Sequence, residues 1–308
     1  MLTVEESEYN YQNLSIRTKC NLAQDSLSCL QNLSIDILQQ ANIAIPFPQA
    51  TMAPLYSWAP TIDGSLIPDL TYRLFEEGRF LHVPTIFGDD TNEGTVFVPQ
   101  ETASVSDGNT FIQDQFPYVS SEQLAWFDST YLSEPDSQTY PDSGPYWEGT
   151  SNGYGEVRYI CPGIALSELF TTFSLFNTWS YHYAVIDDAA IADGYGTTHT
   201  IELNAIWGPE NTNGNAPPSY YTTNAAIVPF MQGYWTSFIR SYDPNPYRYP
   251  GSPEWATWAD GSLTGYNRLF IRTNETQMET VPSDQKERCA YLTSIGPDLQ
   301  QRTFLASS

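Results

Sequence analysis

One short stretch restricts the fold of this chain more than any other, the apolar run Val83–Phe87, which Gly88 follows. An apolar run of this length that ends at a glycine predicts a short buried strand. The polar segment Asp89–Thr95 comes directly after it and contains Glu93. In open α/β sheets, functional side chains lie just beyond the carboxyl ends of the strands. Glu93 is therefore a candidate catalytic carboxylate, provided that a histidine and a nucleophile accompany it.

Size and charge exclude several classes of function. The chain has 308 residues, and its 41% hydrophobic and 14% aromatic content indicates a folded protein with a sizeable core. Its 36 acidic residues outnumber 12 basic ones, which gives a formal net charge of -24. Such a surplus of negative charge repels phosphate backbones, so we expect no binding to nucleic acid. No apolar run approaches the roughly 20 residues of a membrane-spanning helix, so we expect no transmembrane segment.

Cysteines and glycosylation sequons favour a secreted, extracellular glycoprotein. Asn-x-Ser/Thr sequons predict glycosylation at Asn13, Asn32 and Asn274. Cys20 and Cys29 are close enough in sequence for a local disulfide, which would contribute roughly 2.5–3 kcal/mol. The first residues have neither the basic nor the apolar region of a signal peptide. We therefore expect that the chain lacks its true amino terminus, and that the signal peptide belongs to the missing part.

Periodicity predicts the main elements around this stretch. Helical spacing of apolar residues predicts helices over Ser121–Tyr131, with Ser121 as N-cap, and over Ile227–Phe238. Alternation of aromatic and polar residues predicts a strand over Trp179–Val185, and Arg268–Ile271 is a second short strand. The segment Ser133–Gly155 is rich in proline, glycine, aspartate and serine, so it is predicted to be a loop.

Only three histidines are available as a general base. His82 precedes the buried strand, and His182 lies on one face of the strand Trp179–Val185. His199 follows that strand through the glycine-containing loop Asp193–Thr198, so its position resembles that of Glu93. His199 is therefore the candidate base.

Several separate motifs spread over nearly the whole chain. They are Cys20 and Cys29 before Leu30, Pro60–Gly64, Asn92-Glu93-Gly94-Thr95, Ile160-Cys161-Pro162, His199-Thr200-Ile201-Glu202-Leu203, and Tyr234–Phe238 with Asp243–Asn245. In these motifs the chain resembles the type B carboxylesterase family, which includes fungal lipases and cholinesterases.

The resemblance implies a fold and an activity. It implies the α/β class, as one partial domain over residues 1–308: the carboxyl-terminal part of an α/β-hydrolase fold, a mixed sheet with helices packed on it. It also implies a carboxylic ester hydrolase that works through an acyl-serine intermediate on a small-molecule or lipid ester. Glu93 would be the triad acid and His199 the triad base. The cholinesterase branch further implies a disulfide between Cys161 and Cys289, worth about 5 kcal/mol in the chain-entropy model.

The nucleophile elbow and the early strands of the family are missing before Glu93. The string Gly149-Thr150-Ser151-Asn152-Gly153 matches Gly-x-Ser-x-Gly, but it follows Pro145–Glu148 rather than an apolar strand. It also lies between acid and base in chain order, so we do not interpret Ser151 as the nucleophile. The isolated chain is therefore predicted to be inactive. The alternative function is that of a non-catalytic, cholinesterase-like binding or adhesion protein.

Two sequence patterns weakly resemble metal-binding motifs, but neither predicts a metal site. The segment beginning Asp89-Asp90-Thr91 differs from a calcium loop, since Thr91 stands third and Gln100 twelfth. His199 and Glu202 are spaced like metal ligands, but the chain has no His-Glu-x-x-His and no Cys-x-x-Cys. No metal and no cofactor is predicted.

Overall fold

The protein is described here by a computed structural model that covers residues 2–48, 50–173, 177–212, 214, 216–260 and 265–300. The strands are β1 (Thr85–Asp90), β2 (Thr178–Tyr183), β3 (Asn267–Ile271) and β4 (Gln277–Thr280). The α-helices are α1 (Val4–Arg17), α2 (Ser26–Gln31), α3 (Ile35–Ala41), α4 (Thr71–Glu76), α5 (Val105–Gln115), α6 (Ser121–Tyr131), α7 (Trp147–Gly155), α8 (Cys161–Phe173), α9 (Asp188–Ala192), α10 (Leu203–Ile206), α11 (Ile227–Ser241) and α12 (Ser283–Gln300). Within these ranges, no helix is both long and apolar enough to cross a bilayer.

The chain divides into two compact units, and the first comprises Met1–Leu74, Asn109–Ala125 and Ile295–Ser308. In it, α1 begins with a capping box, because Thr3 Oγ1 accepts from the amide of Glu6 and the Glu6 carboxylate accepts from the amide of Thr3. A disulfide bond joins Cys20 and Cys29. The extent of a single domain over residues 1–308 stays a prediction.

The second unit, Phe75–Gly108 with Trp126–Ser294, contains the sheet. The strand order is β1-β2-β3-β4, with β1, β2 and β3 parallel and β4 antiparallel to β3. Helix α8 packs on β1 and β2. The core is largely aromatic, and among its members are Trp179, Tyr181, Tyr183, Met231, Tyr234, Trp255 and Leu269. The predicted α/β class with a mixed sheet and helices packed on it is confirmed.

Strand β1 begins two residues later than predicted and continues through Gly88 to Asp90. Gly88 does not turn the chain. A Cβ atom at this position would lie 2.1 Å from Cε1 of Tyr181 on the neighbouring strand, so only glycine leaves room for that ring. The strand therefore carries two carboxylates, Asp89 and Asp90, into the buried end of the sheet.

The prediction of a loop over Ser133–Gly155 was wrong for its last 9 residues, because Trp147–Gly155 is helix α7. Its glycines allow close packing. A Cβ atom at Gly149 would lie 2.3 Å from the carbonyl oxygen of Tyr131, and one at Gly153 would lie 2.3 Å from Cζ of Phe127. A composition typical of loops therefore belongs to a helix that is buried almost along its whole length.

Other predicted elements are observed. Helix α6 spans the predicted residues, although its capping residue is Ser120, whose hydroxyl accepts from the amide of Gln123. The strand predicted over Trp179–Val185 is observed as β2, which ends at Tyr183, and every residue of β2 except His182 is buried. Helix α11 begins at the predicted residue, Ile227, and continues beyond the predicted end at Phe238 to Ser241.

Candidate functional site

Two loops meet beyond the carboxyl ends of β1 and β2. We call residues 91–95 the acid loop and residues 193–202 the histidine loop. The amide of Asn92 donates to the carbonyl of Thr197, and the amide of Thr197 donates to Oδ1 of Asn92, each at 2.9 Å. Gly196 has φ +65°, and a Cβ atom there would lie 2.1 Å from Asn92 Oδ1. A glycine at this position is what lets the two loops come into contact.

This contact brings together the two residues predicted from the sequence. Nδ1 of His199 lies 2.5 Å from Oε2 of Glu93. The other carboxylate oxygen of Glu93 accepts from the amide of Asp90 at 2.8 Å. The Glu93 side chain is 5% exposed, whereas that of His199 is 27% exposed. The carboxylate is therefore fixed inside the protein, and the imidazole reaches the surface.

The His199 ring is also oriented by aromatic neighbours. Its centroid lies 4.3 Å from that of Tyr159 and 5.3 Å from that of Phe97. Nε2 of His199 makes no hydrogen bond with any residue that the structure describes. An imidazole held at Nδ1 by a carboxylate, with Nε2 open, can accept a proton at Nε2 while the carboxylate stabilises the resulting cation.

Two more carboxyl groups lie behind this pair, and they were not singled out as a site from the sequence. The amide of Thr200, next to His199, donates to Oδ2 of Asp90 at 3.0 Å. Burial, together with the negative charges of Glu202 and Glu93, raises the pKa of Asp90 well above its usual range. Burial likewise raises the pKa of Glu202, although its hydrogen bond with Asp90 acts in the opposite direction. The region behind the imidazole is therefore rich in carboxyl groups.

A second histidine–carboxylate pair lies across the sheet. Nδ1 of His182 is 3.0 Å from Oε1 of Glu279, and Nε2 of His182 is 2.8 Å from the hydroxyl of Thr91. Arg268 Nε donates to the same Glu279 oxygen at 2.6 Å. The sequence did not indicate a partner for His182, because β4, which carries Glu279, was not predicted.

The charges around His182 shift two acidic groups in opposite directions. Burial alone would raise the pKa of Glu279, but its hydrogen bond to His182 and the charge of Arg268 lower it overall. Asp89 lies 3.7 Å from the Arg268 guanidinium and is buried. Burial raises the pKa of Asp89 to about 6, although Arg268 and His182 act against it.

Ser151 lies in the middle of α7, and its side chain is 1% exposed. Its Oγ has no hydrogen-bond partner among the described residues. It lines a cavity of about 340 Å³ together with Glu93, Thr91, Glu156 and other residues. A nucleophile elbow needs a strand before the serine and a sharp turn at it, and this helix has neither. The placement supports the interpretation that Ser151 is not a nucleophile.

The remaining sequence-derived residues lie apart from this pair of loops. Cys161, at the start of α8, is bonded to Cys289 in α12. Asn274 is exposed in the turn between β3 and β4 with φ 64°, and Asn32 is exposed at the end of α2. Asn13 is half-buried within α1, where its amide donates to the carbonyl of Tyr9. His82 is exposed, with Nε2 3.2 Å from the carbonyl oxygen of Gly78.

No group of three or more histidine, cysteine or acidic residues is placed to hold a metal ion in the described part of the chain.

A model of the carboxylesterase family matches residues 1–292. Secreted lipase 4 of Gibberella zeae is 24% identical over 274 residues, which are 86% of this chain and 46% of that protein. Lipase 2 of Diutina rugosa is 30% identical over 136 residues, 44% of this chain and 25% of that protein. Among solved structures, the crystal structure of Aspergillus niger EstA matches with a TM-score of 0.88 and 35% identity, over 98% of this chain and 57% of that one. The chain thus spans about half the length of these relatives or less.

Proposed function

Because this chain belongs to the carboxylesterase family, we propose that Glu93 and His199 are the acid and the base of a serine-type carboxylic ester hydrolase. The observation that carries the proposal is the contact of 2.5 Å between Glu93 Oε2 and His199 Nδ1. Nε2 of the same imidazole has no hydrogen-bond partner among the described residues. This is the arrangement that activates a serine hydroxyl in ester hydrolysis.

The proposed chemistry uses both nitrogens of His199. Nε2 takes the proton of the serine hydroxyl as its oxygen attacks the ester carbonyl, and then returns that proton to the leaving alcohol. The Glu93 carboxylate holds the ring in one tautomer and stabilises the imidazolium in between. The substrate is a carboxylic ester, either a small molecule or a lipid.

We infer that none of the serines in residues 1–308 is the nucleophile. Among the described residues, no serine hydroxyl is hydrogen-bonded to His199, and Ser151 is enclosed in a helix. The isolated chain is therefore inactive, and activity needs a nucleophile from elsewhere in the family domain. We also propose that the protein is secreted and glycosylated at Asn13, Asn32 and Asn274. Two disulfides are typical of extracellular proteins, and one relative is named a secreted lipase.

A first experiment uses the purified chain with a short-chain p-nitrophenyl ester. We expect no hydrolysis above background. Hydrolysis that a serine-directed phosphonate abolishes would contradict the proposed lack of a nucleophile, and Ser151→Ala would then show whether Ser151 is responsible.

A second experiment supplies the nucleophile. In this chimera the chain replaces the matched 57% of Aspergillus niger EstA, and the rest of EstA is kept. We expect the chimera to hydrolyse the p-nitrophenyl ester and to lose that activity when Glu93 or His199 is replaced. A folded chimera, with a cooperative melting transition and the two disulfides formed, that stays inactive would contradict the proposed roles of Glu93 and His199.

A further inference from the structure

The three asparagines predicted to carry glycans differ in what their side-chain amides contact. Nδ2 of Asn13 donates to the carbonyl of Tyr9 at 2.8 Å, and Nδ2 of Asn32 donates to the carbonyl of Ser28 at 2.7 Å. The side chain of Asn274 makes no hydrogen bond with any residue that the structure describes. An N-linked glycan is attached at Nδ2, so a glycan on Asn274 competes with no hydrogen bond of the folded protein.

The turn that contains Asn274 has a fixed backbone. Asn274 lies between β3 and β4 with φ 64°, a left-handed conformation that asparagine adopts more readily than most residues. The amide of Glu275 donates to the carbonyl of Arg272 at 3.0 Å, and Oγ1 of Thr276 donates to the same carbonyl at 2.9 Å. Hydrogen bonds of the two residues after Asn274 therefore hold the turn, and with it the point of attachment of a sugar.

Asn274 lines a pocket of about 180 Å³ within the second unit, which we call the Asn274 pocket. Its other lining residues are Ala226, Ile227, Phe230, Gly251, Pro253 and Thr276. Pockets for drug-sized ligands measure roughly 300–1,000 Å³, so this smaller one fits a single ring. A Cβ atom at Gly251 would meet nothing within 4 Å, so there is room beside that residue for a longer chain to leave.

The lining suits the first sugar of an N-linked glycan, N-acetylglucosamine. Phe230 is half-buried, and its ring centroid lies 5.3 Å from that of Tyr249, which restricts the orientation of its ring. The C–H groups on one face of a sugar ring carry small positive partial charges, which favour the negative face of an aromatic ring. The methyl of the acetamido group is apolar and gains from contact with apolar side chains such as Pro253.

We propose that the Asn274 pocket binds the first N-acetylglucosamine of a glycan attached to Asn274. Docking of this sugar removes apolar surface of Phe230 and Pro253 from water and so stabilises the second unit. The covalent bond to Asn274 keeps the sugar at a high effective concentration beside the pocket, so a weak interaction is enough to hold it there. The proposal rests on the glycosylation proposed for Asn274 and is independent of the roles of Glu93 and His199.

The direct test is NMR of the chain secreted from a yeast host. An endoglycosidase trims each glycan to a single N-acetylglucosamine, whose acetyl group is isotope-labelled. We expect nuclear Overhauser contacts between one such sugar and the ring protons of Phe230. Asn274→Asp should abolish these contacts, and aspartate is chosen because it also tolerates the left-handed conformation. Asn32→Asp is the matched control and should leave them in place, because Asn32 does not line the pocket.

Mass spectrometry of the peptide that contains Asn274 separates two ways in which the proposal can fail. An unmodified Asn274 would contradict glycosylation at this site and, with it, the docking. A glycosylated Asn274 whose sugar shows no contact with Phe230 would overturn the docking alone and leave the proposed glycosylation intact.

Thermal denaturation of the same trimmed samples measures the stabilisation. We expect Asn274→Asp to lower the Tm by about 2–4 °C, the order of shift that one favourable contact gives in a large domain. Phe230→Leu keeps an apolar side chain but removes the aromatic face, so in this background Asn274→Asp should lower the Tm by less than about 1 °C. Comparison of the four proteins cancels the effect of aspartate itself on the turn. Equal losses in both backgrounds would show that the sugar does not use Phe230.

Discussion

Glu93 lies 2.5 Å from Nδ1 of His199, and Glu279 lies 3.0 Å from Nδ1 of His182. We call them the open pair and the closed pair. In the open pair, Nε2 of the imidazole has no partner among the described residues, and no cation contacts the carboxylate. In the closed pair, Thr91 occupies Nε2, and Arg268 binds the carboxylate. The same histidine–carboxylate contact thus occurs twice, and only the open pair leaves a basic imidazole nitrogen available for a reaction.

The difference shows that a histidine–carboxylate contact is not in itself a sign of catalysis. In the closed pair, both imidazole nitrogens of His182 and Oε1 of Glu279 are hydrogen-bonded within the protein, so the pair stabilises the end of the sheet. The open pair keeps one group unused at the surface and holds the rest in place through the two loops. The next four predictions test this division.

The largest expected effect is on activity. In the EstA chimera, His199→Ala should lower kcat by at least about 10⁴-fold, as loss of a triad member does. His182→Ala is the matched control and should lower it by less than about tenfold, because His182 contacts no reacting group. Initial rates with a p-nitrophenyl ester measure both. Similar losses for the two variants would remove the distinction between open and closed pairs.

A second prediction concerns stability. Arg268 is 4% exposed and contacts both Glu279 and Asp89, so Arg268→Met should leave two carboxylates without their cation. We expect the free energy of unfolding to fall by about 3–5 kcal/mol near neutral pH. Glu93→Gln at the open pair should reduce it by only about 1 kcal/mol, since one hydrogen bond is lost. Urea denaturation of the isolated chain compares the two. A greater loss from Glu93→Gln would reverse the assignment of roles.

A third prediction concerns pH. Burial raises the pKa of Asp89 from 3.8 to about 6 in the folded protein, so the folded state binds this proton more tightly than the unfolded state. The resulting stability is complete below about pH 4 and is lost as the pH rises through about 6. In Asp89→Asn, the free energy of unfolding should therefore decrease by roughly 2–3 kcal/mol less than in the wild type over this pH range.

Urea denaturation at several pH values measures the effect of Asp89. Glu93→Gln serves as the comparison at the open pair and should leave the decline due to Asp89 in place. A pH dependence of stability that is identical in wild type and Asp89→Asn would show that Asp89 is not buried as a titrating group.

The smallest expected effect is at Thr91, which contacts the closed pair from the acid loop. Its hydroxyl lies 2.8 Å from His182 Nε2 and also donates to the carbonyl of Tyr183 at 3.1 Å. Thr91→Val removes both bonds and should destabilise the chain by about 0.5–1.5 kcal/mol. Thr91→Ser keeps the hydroxyl and should recover most of the loss in thermal denaturation. If Thr91→Ser is destabilised as much as Thr91→Val, the hydroxyl of Thr91 does not stabilise the closed pair.

The sequence indicated the open pair because its two residues share one kind of position. Glu93 and His199 each follow a strand that the pattern of apolar residues predicts. A family motif also lies at each of these two positions. Their contact is then a consequence of two parallel neighbouring strands ending at the same edge of the sheet. The roles of Glu93 and His199 in catalysis stay predictions.

The closed pair had no such signal. Glu279 stands in a four-residue strand with no apolar run, and it meets Arg268 only through the register of β3 and β4. The register of two strands depends on packing along their whole length, which a local pattern does not contain. Helix α7 was not predicted for a related reason. Its glycines make close contacts with residues outside the helix, whereas the sequence pattern was interpreted as local turn geometry.

During synthesis of the chain, the two disulfides can form only after very different waiting times. Cys29 follows Cys20 by 9 residues, whereas Cys289 follows Cys161 by 128. At a synthesis rate of roughly 5–20 residues per second, the first partner arrives within about two seconds and the second only after roughly 6–26 seconds. During that interval Cys161 has not yet met Cys289, and within residues 1–308 the other cysteines already made are Cys20 and Cys29. Early closure of Cys20 with Cys29 therefore protects Cys161 from the wrong partner until the right one is synthesised.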